Sequence, residues 1–186
     1  MRQSGSRVQR VGEYSFAGGD RRLHCSTSTE HAGNTVSESR EVQLLSTAHA
    51  EGIRALSREP DVAAAAGLTV ALSPEEAAEY IAVATRAREE GRSYAFVLND
   101  RSEVLGVCRL IGVLGVPRLI VAIGRAYRGQ GNGSCLVRHV LAFAFETLQL
   151  DRVTATGACL VLVSQFGRVG ESGLTRQEWQ AAGSNR

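Results

Sequence analysis

Arg128-Gly129-Gln130-Gly131-Asn132-Gly133 is the stretch whose reading decides the fold. It follows an apolar run, Leu119-Ile120-Val121-Ala122-Ile123, and precedes an amphipathic segment over residues 135–148. The order is strand, glycine-rich turn, helix. Glycines at alternate positions remove the Cβ atoms that would hold a ligand off the backbone. The first turn of the following helix carries N–H groups without intrahelical partners and the positive end of the helix dipole. A phosphate or diphosphate is the natural guest of such a turn. On its own the run also suits a structural turn with no ligand.

Two common phosphate binders do not fit. A dinucleotide site needs GxGxxG after an early strand, with an acidic residue on the next strand for the ribose. Here the glycines run GxGxG, late in the chain and after an expected hairpin. A Walker loop needs a lysine, and all 21 basic residues are arginine. The lack of lysine also excludes Schiff-base chemistry on that residue.

Working outward, residues 93–124 read as strands. Tyr94-Ala95-Phe96-Val97-Leu98 and Val104-Leu105-Gly106-Val107-Cys108-Arg109-Leu110-Ile111 flank a turn at Asn99-Asp100-Arg101-Ser102, and residues 118–124 form the next strand. Upstream, Ser73-Pro74-Glu75-Glu76 is a helix start, with Ser at the cap, Pro at the first position and Glu three after the cap. That helix runs to about Glu90 and stops at Gly91. A short strand at residues 41–45 and helical segments from Ser46 or Thr47 to Leu56 and over residues 61–66 precede it. Downstream, residues 153–156 and Cys159-Leu160-Val161-Leu162-Val163 read as strands, and a helix begins near Thr175 with Trp179 as its anchor. These elements predict an α/β (α+β) fold, helices on a mixed, largely antiparallel sheet. Residues 1–40, rich in Ser, Thr, Gly, Arg and His, read as a flexible or loosely packed extension. Alternation at residues 13–16 and 22–25 permits a short hairpin there instead. Residues 41–186 form the folded domain.

A chain of 186 residues, 44% of them hydrophobic, can bury one sizeable core. No stretch has the apolar length of a membrane span. The N-terminus lacks an apolar signal region, so a reducing cytoplasm is the expectation. Cys25, Cys108, Cys135 and Cys159 form no CxxC pair and read as isolated thiols rather than a metal site. With a net charge of +2 and arginines spread among 19 acidic residues, no nucleic-acid footprint emerges.

The longer stretch Ile123-Gly124-Arg125-Ala126-Tyr127-Arg128-Gly129-Gln130-Gly131-Asn132-Gly133-Ser134 resembles the acetyl-CoA signature of the GCN5-related N-acetyltransferase (GNAT) superfamily. That signature is Gln or Arg, two residues, Gly, one residue, then Gly or Ala, and Arg128, Gly131 and Gly133 fill it. Within the superfamily the chain is similar to the group that acetylates ribosomal-protein N-termini. Tyr94 to Leu98, Glu103 to Val107 and residues 141–153 carry that similarity. The resemblance implies an acyl-CoA N-acyltransferase fold that takes acetyl-CoA (CoA). Backbone N–H groups of Gly129, Gln130, Gly131, Asn132, Gly133 and Ser134 would cradle the diphosphate, with Arg128 adding charge or acting through its backbone. A main-chain N–H near Ile123 or Gly124 would polarise the thioester carbonyl.

The resemblance thins towards the C-terminus. Many relatives place a glutamate where Arg118 stands, and arginine is no ordinary base near neutral pH. A helix expected between Ser164 and a Gly-Phe pair is missing from the pattern, and no tyrosine follows Tyr127 to protonate the CoA sulfur. Ser164 and Cys159 are then the candidate catalytic groups. Glu146, on the helix after the signature, reads as solvated or paired with Arg152, and His139 as packed or exposed rather than catalytic. The expectation is an N-acetyltransferase acting on a primary amine, a protein N-terminus or a small molecule, by direct attack in a ternary complex. The alternative is a catalytically silent CoA-binding or interaction domain. An incomplete sheet edge would also let a second copy pair with it as a homodimer.

Overall fold

The computed structural model describes residues 23–25, 40–101, 103–170 and 173–183, with only the backbone for 23–25. Seven strands lie side by side in chain order. They are β1 (Leu23–Cys25), β2 (Arg40–Leu44), β3 (Ser93–Asp100), β4 (Glu103–Ile111), β5 (Arg118–Ile123), β6 (Arg152–Ala155) and β7 (Leu174–Thr175). Every neighbouring pair is antiparallel except β5 and β6. The expected mixed, largely antiparallel sheet is therefore present. β1 falls within the stretch read as an extension and pairs with β2; the possible strand at residues 13–16 lies outside the described residues.

Between β2 and β3 come a 3-10 turn (Thr47–His49) and helices α1 (Ala50–Ser57), α2 (Pro60–Ala66) and α3 (Pro74–Glu89). The capping box at α3 is complete: Ser73 Oγ accepts from Glu76 N–H at 3.1 Å, and Glu76 Oε2 accepts from Ser73 N–H at 2.7 Å. Gly91, just past its end, takes the left-handed conformation at φ +67°. After β5 come α4 (Asn132–Ala142), a π-helical turn (Phe143–Thr147), α5 (Gly157–Val163), a 3-10 turn (Ser164–Phe166) and α6 (Arg176–Gly183).

The sheet separates two apolar layers. On one face Ile53, Val62, Ala77 and Ile81 of α1, α2 and α3 meet Val97, Val107 and Ala122. On the other, Leu136, Val140 and Leu141 of α4 and Val163 of α5 meet Phe96, Leu98, Leu110 and Leu119. Each fully buried Val, Leu or Ile among them stabilises the fold by roughly 1.5–3 kcal/mol. Trp179 closes the second layer beside Phe145 and Phe166, with ring centroids 6.0 Å away in each case. It thus anchors α6 as its position in the sequence suggested.

Two elements depart from expectation. The run Cys159-Leu160-Val161-Leu162-Val163 belongs to α5, not to a strand. A short apolar run carries no period that separates strand from buried helix, and Thr156, extended at φ −136°, starts a helix here. Beyond Ser164 the structure has only a 3-10 turn (Ser164–Phe166), so no helix of the kind the resemblance implies follows that serine, and α5 stands ahead of it. The second departure is α4, which begins at Asn132 rather than near Cys135.

Candidate active site

β5 and β6 pair only at Arg118↔Thr154 and Leu119↔Ala155, then part. Beyond Leu119, β5 keeps β4 on one side, and among the described residues no strand pairs with the other. The Gly124 N–H donates to the Leu105 carbonyl at 2.9 Å, which fixes the phase of the antiparallel ladder. By alternation the N–H and C=O groups of Val121 and Ile123 point away from β4, into the fork. Of the two donors expected at the thioester, Ile123 is therefore the one facing the opening. Gly124 is engaged with β4.

The chain leaves β5 through a 3-10 turn (Arg125–Tyr127) and enters the glycine loop. Gly129 and Gly131 hold φ of +73° and +80°, where a side chain would be strained. Gly131 caps α4 without a side-chain hydrogen bond, and the first intrahelical bond is Cys135 N–H to the Gly131 carbonyl at 3.0 Å. Among the described residues, no N–H from Gly129 to Ser134 donates to a backbone acceptor. This run of unsatisfied donors at a helix N-terminus suits a diphosphate.

Side chains around the loop hold its backbone in place. Asn132, 1% exposed, donates from Nδ2 to the Tyr127 carbonyl at 2.8 Å. Gln130 Nε2 donates to the Ala126 carbonyl at 3.0 Å, and the buried Arg40 reaches the Gln130 carbonyl at 3.4 Å. Arg128 does not turn towards the amide run as a phosphate ligand would. Its Nε donates to the Ile123 carbonyl at 2.9 Å and its Nη1 to Asp61 of α2 at 2.8 Å. Asp61 also pairs with Arg125 at 3.2 Å, and both guanidinium groups hold its carboxyl below the usual range, Arg128 the more.

α5 supplies the opposite wall. Leu162 approaches within 3.0 Å of where a Cβ on Gly133 would stand, and Ile123 lies at 3.7 Å from the same point. Any larger residue at 133 would push into the end of the Leu162 side chain. Ser134 Oγ donates to Gln165 Oε1 at 2.8 Å, tying the start of α4 to the turn after α5.

The titratable groups are unevenly placed. Ser164 is exposed beside Gln165, and its hydroxyl donates to the Val161 carbonyl at 2.8 Å. Cys159 lies 6% exposed in the core beside the α4 layer, where burial pushes its thiol up to about 12. Cys108 is a second buried, free thiol, whereas Cys135 is disulfide-bonded rather than isolated as expected. Glu146 is exposed and accepts from the Trp179 indole at 3.4 Å, a partner its position in the sequence did not suggest. His139 is packed: it is 8% exposed, lies edge-on to Phe96 at 5.3 Å, and burial lowers its pKa to about 4. Arg118 is exposed at the start of β5.

Three contacts around the site escaped the sequence reading. Tyr127 donates its hydroxyl to Glu103, which with burial raises the phenol to about 12. Glu59 accepts the Arg125 N–H at 2.8 Å, and Asp61 receives both arginines. Only the proline-led, acidic start of α2 could have signalled these last two. Among the described residues no group of His, Cys, Asp and Glu is arranged to hold a metal, and no helix is long and apolar enough to cross a membrane.

Solved structures share this architecture. A ribosomal-protein-S5-alanine acetyltransferase from Vibrio fischeri matches with a TM-score of 0.61 at 16% identity, over 78% of this chain and 84% of its own. A putative ribosomal-protein-serine acetyltransferase from Vibrio cholerae matches at 0.54 and 19%, over 70% and 79%. A spermidine N-acetyltransferase from Vibrio cholerae, in complex with CoA and spermine, matches at 0.52 and 17%, over 62% and 69%. At such identities the likeness is one of fold. No curated protein matches by sequence. The sequence profile of the acetyltransferase (GNAT) domain matches residues 41–159, which spans both the β5 fork and the amide-lined loop. With more than half of its length in that profile and the fold to go with it, the chain belongs to the GNAT acetyltransferase family.

Proposed function

We propose that the protein is an N-acetyltransferase that takes acetyl-CoA and acetylates a primary amine. The observation that carries this reading is the conjunction at the end of β5. A strand edge open beyond Leu119 leads directly into a run of unpartnered amides from Gly129 to Ser134. An extended, amide-bearing arm ending in a diphosphate has that sequence of needs, strand pairing first and then anion binding. When bound, acetyl-CoA supplies an activated acyl carbon for direct attack by an uncharged amine.

The chain's own residues have separate tasks. The amides of Gly129 to Ser134 hold the diphosphate, and the Val121 carbonyl and Ile123 N–H offer the arm its pairing edge. The Ile123 N–H also lies where it can stabilise negative charge on the carbonyl oxygen. Leu162 and Ile123 exclude water from the fork next to Gly133. Ser164 is the better placed of the two proton-handling candidates, because its hydroxyl is exposed whereas the Cys159 thiol is buried. Likeness to enzymes named for ribosomal-protein N-termini and for spermidine supports an amine acceptor of either kind.

A second reading, CoA binding without turnover, has its own support. No tyrosine follows Tyr127, arginine stands at position 118, and Ser164 is engaged with the Val161 carbonyl. Calorimetric titration with CoA, followed by thiol release from acetyl-CoA over a panel of N-terminal peptides and polyamines, separates the readings. Binding with release supports the transferase, binding without release supports the silent domain, and no binding at millimolar CoA defeats both.

A further inference from the structure

The side chain of Arg128 fills the place given by the family signature, yet its hydrogen bonds point along the strand rather than to the anion site. Nε meets the Ile123 carbonyl at 2.9 Å, and Nη1 meets Asp61 Oδ2 at 2.8 Å. The Ile123 carbonyl faces the side of β5 that β6 has left. We infer that Arg128 is a strut replacing the missing strand partner at the end of β5, and that Asp61 is the positioning residue that aims it.

The physical case begins with what the fork removes. A strand paired on one side only has carbonyl and N–H groups without partners on the other, and its end frays. Past Leu119 the β5 edge has that problem, and the Gly124 N–H to Leu105 contact at 2.9 Å is its last tie to β4. Arg128 satisfies the carbonyl of the same peptide unit that contributes the Gly124 N–H. One peptide plane is therefore held from both sides, by Leu105 on one and the guanidinium on the other. A guanidinium is planar and presents its donors in a fixed fork, so fixing Nη1 on Asp61 also fixes the direction of Nε. Asp61 in turn bridges to Arg125 at 3.2 Å, and Glu59 accepts the Arg125 N–H at 2.8 Å, so the first turn of α2 holds both ends of the 3-10 turn. The preceding peptide, which carries the Ile123 N–H, inherits this orientation.

Hydrogen exchange on the free protein tests the strut without any ligand. In Arg128→Gln the Gly124 amide is expected to exchange about tenfold faster, as for loss of a charge-assisted hydrogen bond. In Asp61→Asn the expected gain is about threefold, because that pair is half-exposed. Asp61→Glu should restore part of the protection. Unchanged exchange at Gly124 in both Arg128→Gln and Asp61→Asn overturns the inference.

A second arm rests on the proposed transferase reading and compares acetyl-CoA with S-acetylpantetheine, which lacks the diphosphate. A strut predicts that Arg128→Gln lowers kcat/KM by the same factor for both donors. Loss confined to acetyl-CoA would make Arg128 an anion ligand and overturn the strut. A wild-type protein that neither binds CoA nor releases thiol would defeat the functional reading alone, and the exchange arm would still decide the role of Arg128.

Discussion

α4 and α5 face each other across one opening, and they dispose of their polar groups in opposite ways. At the start of α4, Asn132 is buried to hold the Tyr127 carbonyl and Ser134 reaches across to Gln165, while the backbone donors stay available. α5 has no charged residue between Gly157 and Val163; Leu160 and Val161 are 39% and 64% exposed, and Cys159 turns into the core. One wall presents backbone donors, and the other presents hydrocarbon. On the proposed reading, the contrast teaches that holding the acyl donor and handling protons are separable tasks. The first rests on backbone geometry, which a few glycines and well-placed side chains secure. The second would need a titratable side chain at one spot, on which the first would not depend.

The largest expected effect would break the gripping wall by acid. His139 sits in the last turn of α4, buried and neutral, with its pKa lowered by burial from 6.5 to about 4. Above about pH 6.5 neither folded nor unfolded chains carry this proton. Between 6.5 and 4 the unfolded chain takes it up and the folded chain resists, so stability falls as pH falls through that window. The loss amounts to about 3 kcal/mol near pH 4. His49, also lowered by burial, adds to the same slope. Denaturant titrations from pH 7 to 4 on wild type and His139→Leu check this, and the variant should show a shallower pH dependence. An equal slope in both would mean that α4 tolerates the charge.

Next in size is Gly131→Val. A β-branched residue at φ +80° is strained by about 1–3 kcal/mol, and relief of that strain would rotate the amides of the α4 first turn. CoA affinity should drop roughly thirtyfold, with the melting temperature changed far less. Calorimetry against CoA reads the first quantity and thermal unfolding the second. Equal CoA affinity in the variant would show that the loop amides are not the grip.

Legibility in the sequence follows the same division between the two walls. The strand–glycine–helix order, the capping box at Ser73 and the stop at Gly91 are local signals, each set by a residue and its near neighbours, and the fold agrees with all of them. Gly129 and Gly131 were legible as positions without a Cβ, and the structure adds that both hold left-handed backbone. The side chains that shape the loop were not legible, because their partners are distant in sequence. Nothing near Asp61 points to Arg128, and Asn132 reads as a loop residue until its burial is known. α5 reads as a strand because a short apolar run between Thr156 and Ser164 lacks a period, and its packing, with Cys159 and Val163 in the core and Leu162 beside Gly133, involves residues distant in sequence. The π-helical turn after α4, where Leu148 N–H reaches the Phe143 carbonyl at 3.0 Å, has no marker in composition either.

The smallest expected effect concerns the apolar wall and decides which half of the comparison limits turnover. Ser164 donates its hydroxyl to the Val161 carbonyl, a local bond that closes the last turn of α5. If that bond persists with substrate present, Ser164→Ala costs at most about 1 kcal/mol of helix-end stability and changes kcat less than about fivefold. Cys159→Ser, in contrast, would bury a hydroxyl in the core and should lower stability by about 1–3 kcal/mol while leaving kcat of the folded fraction unchanged. Steady-state thiol release at saturating acetyl-CoA, measured beside thermal unfolding, distinguishes the two. A hundredfold fall in kcat for Ser164→Ala with unchanged stability would place proton transfer on α5 after all and end the division between the walls. A small change would mean that the attacking amine loses its proton to solvent, and that orientation by the β5 edge carries most of the rate.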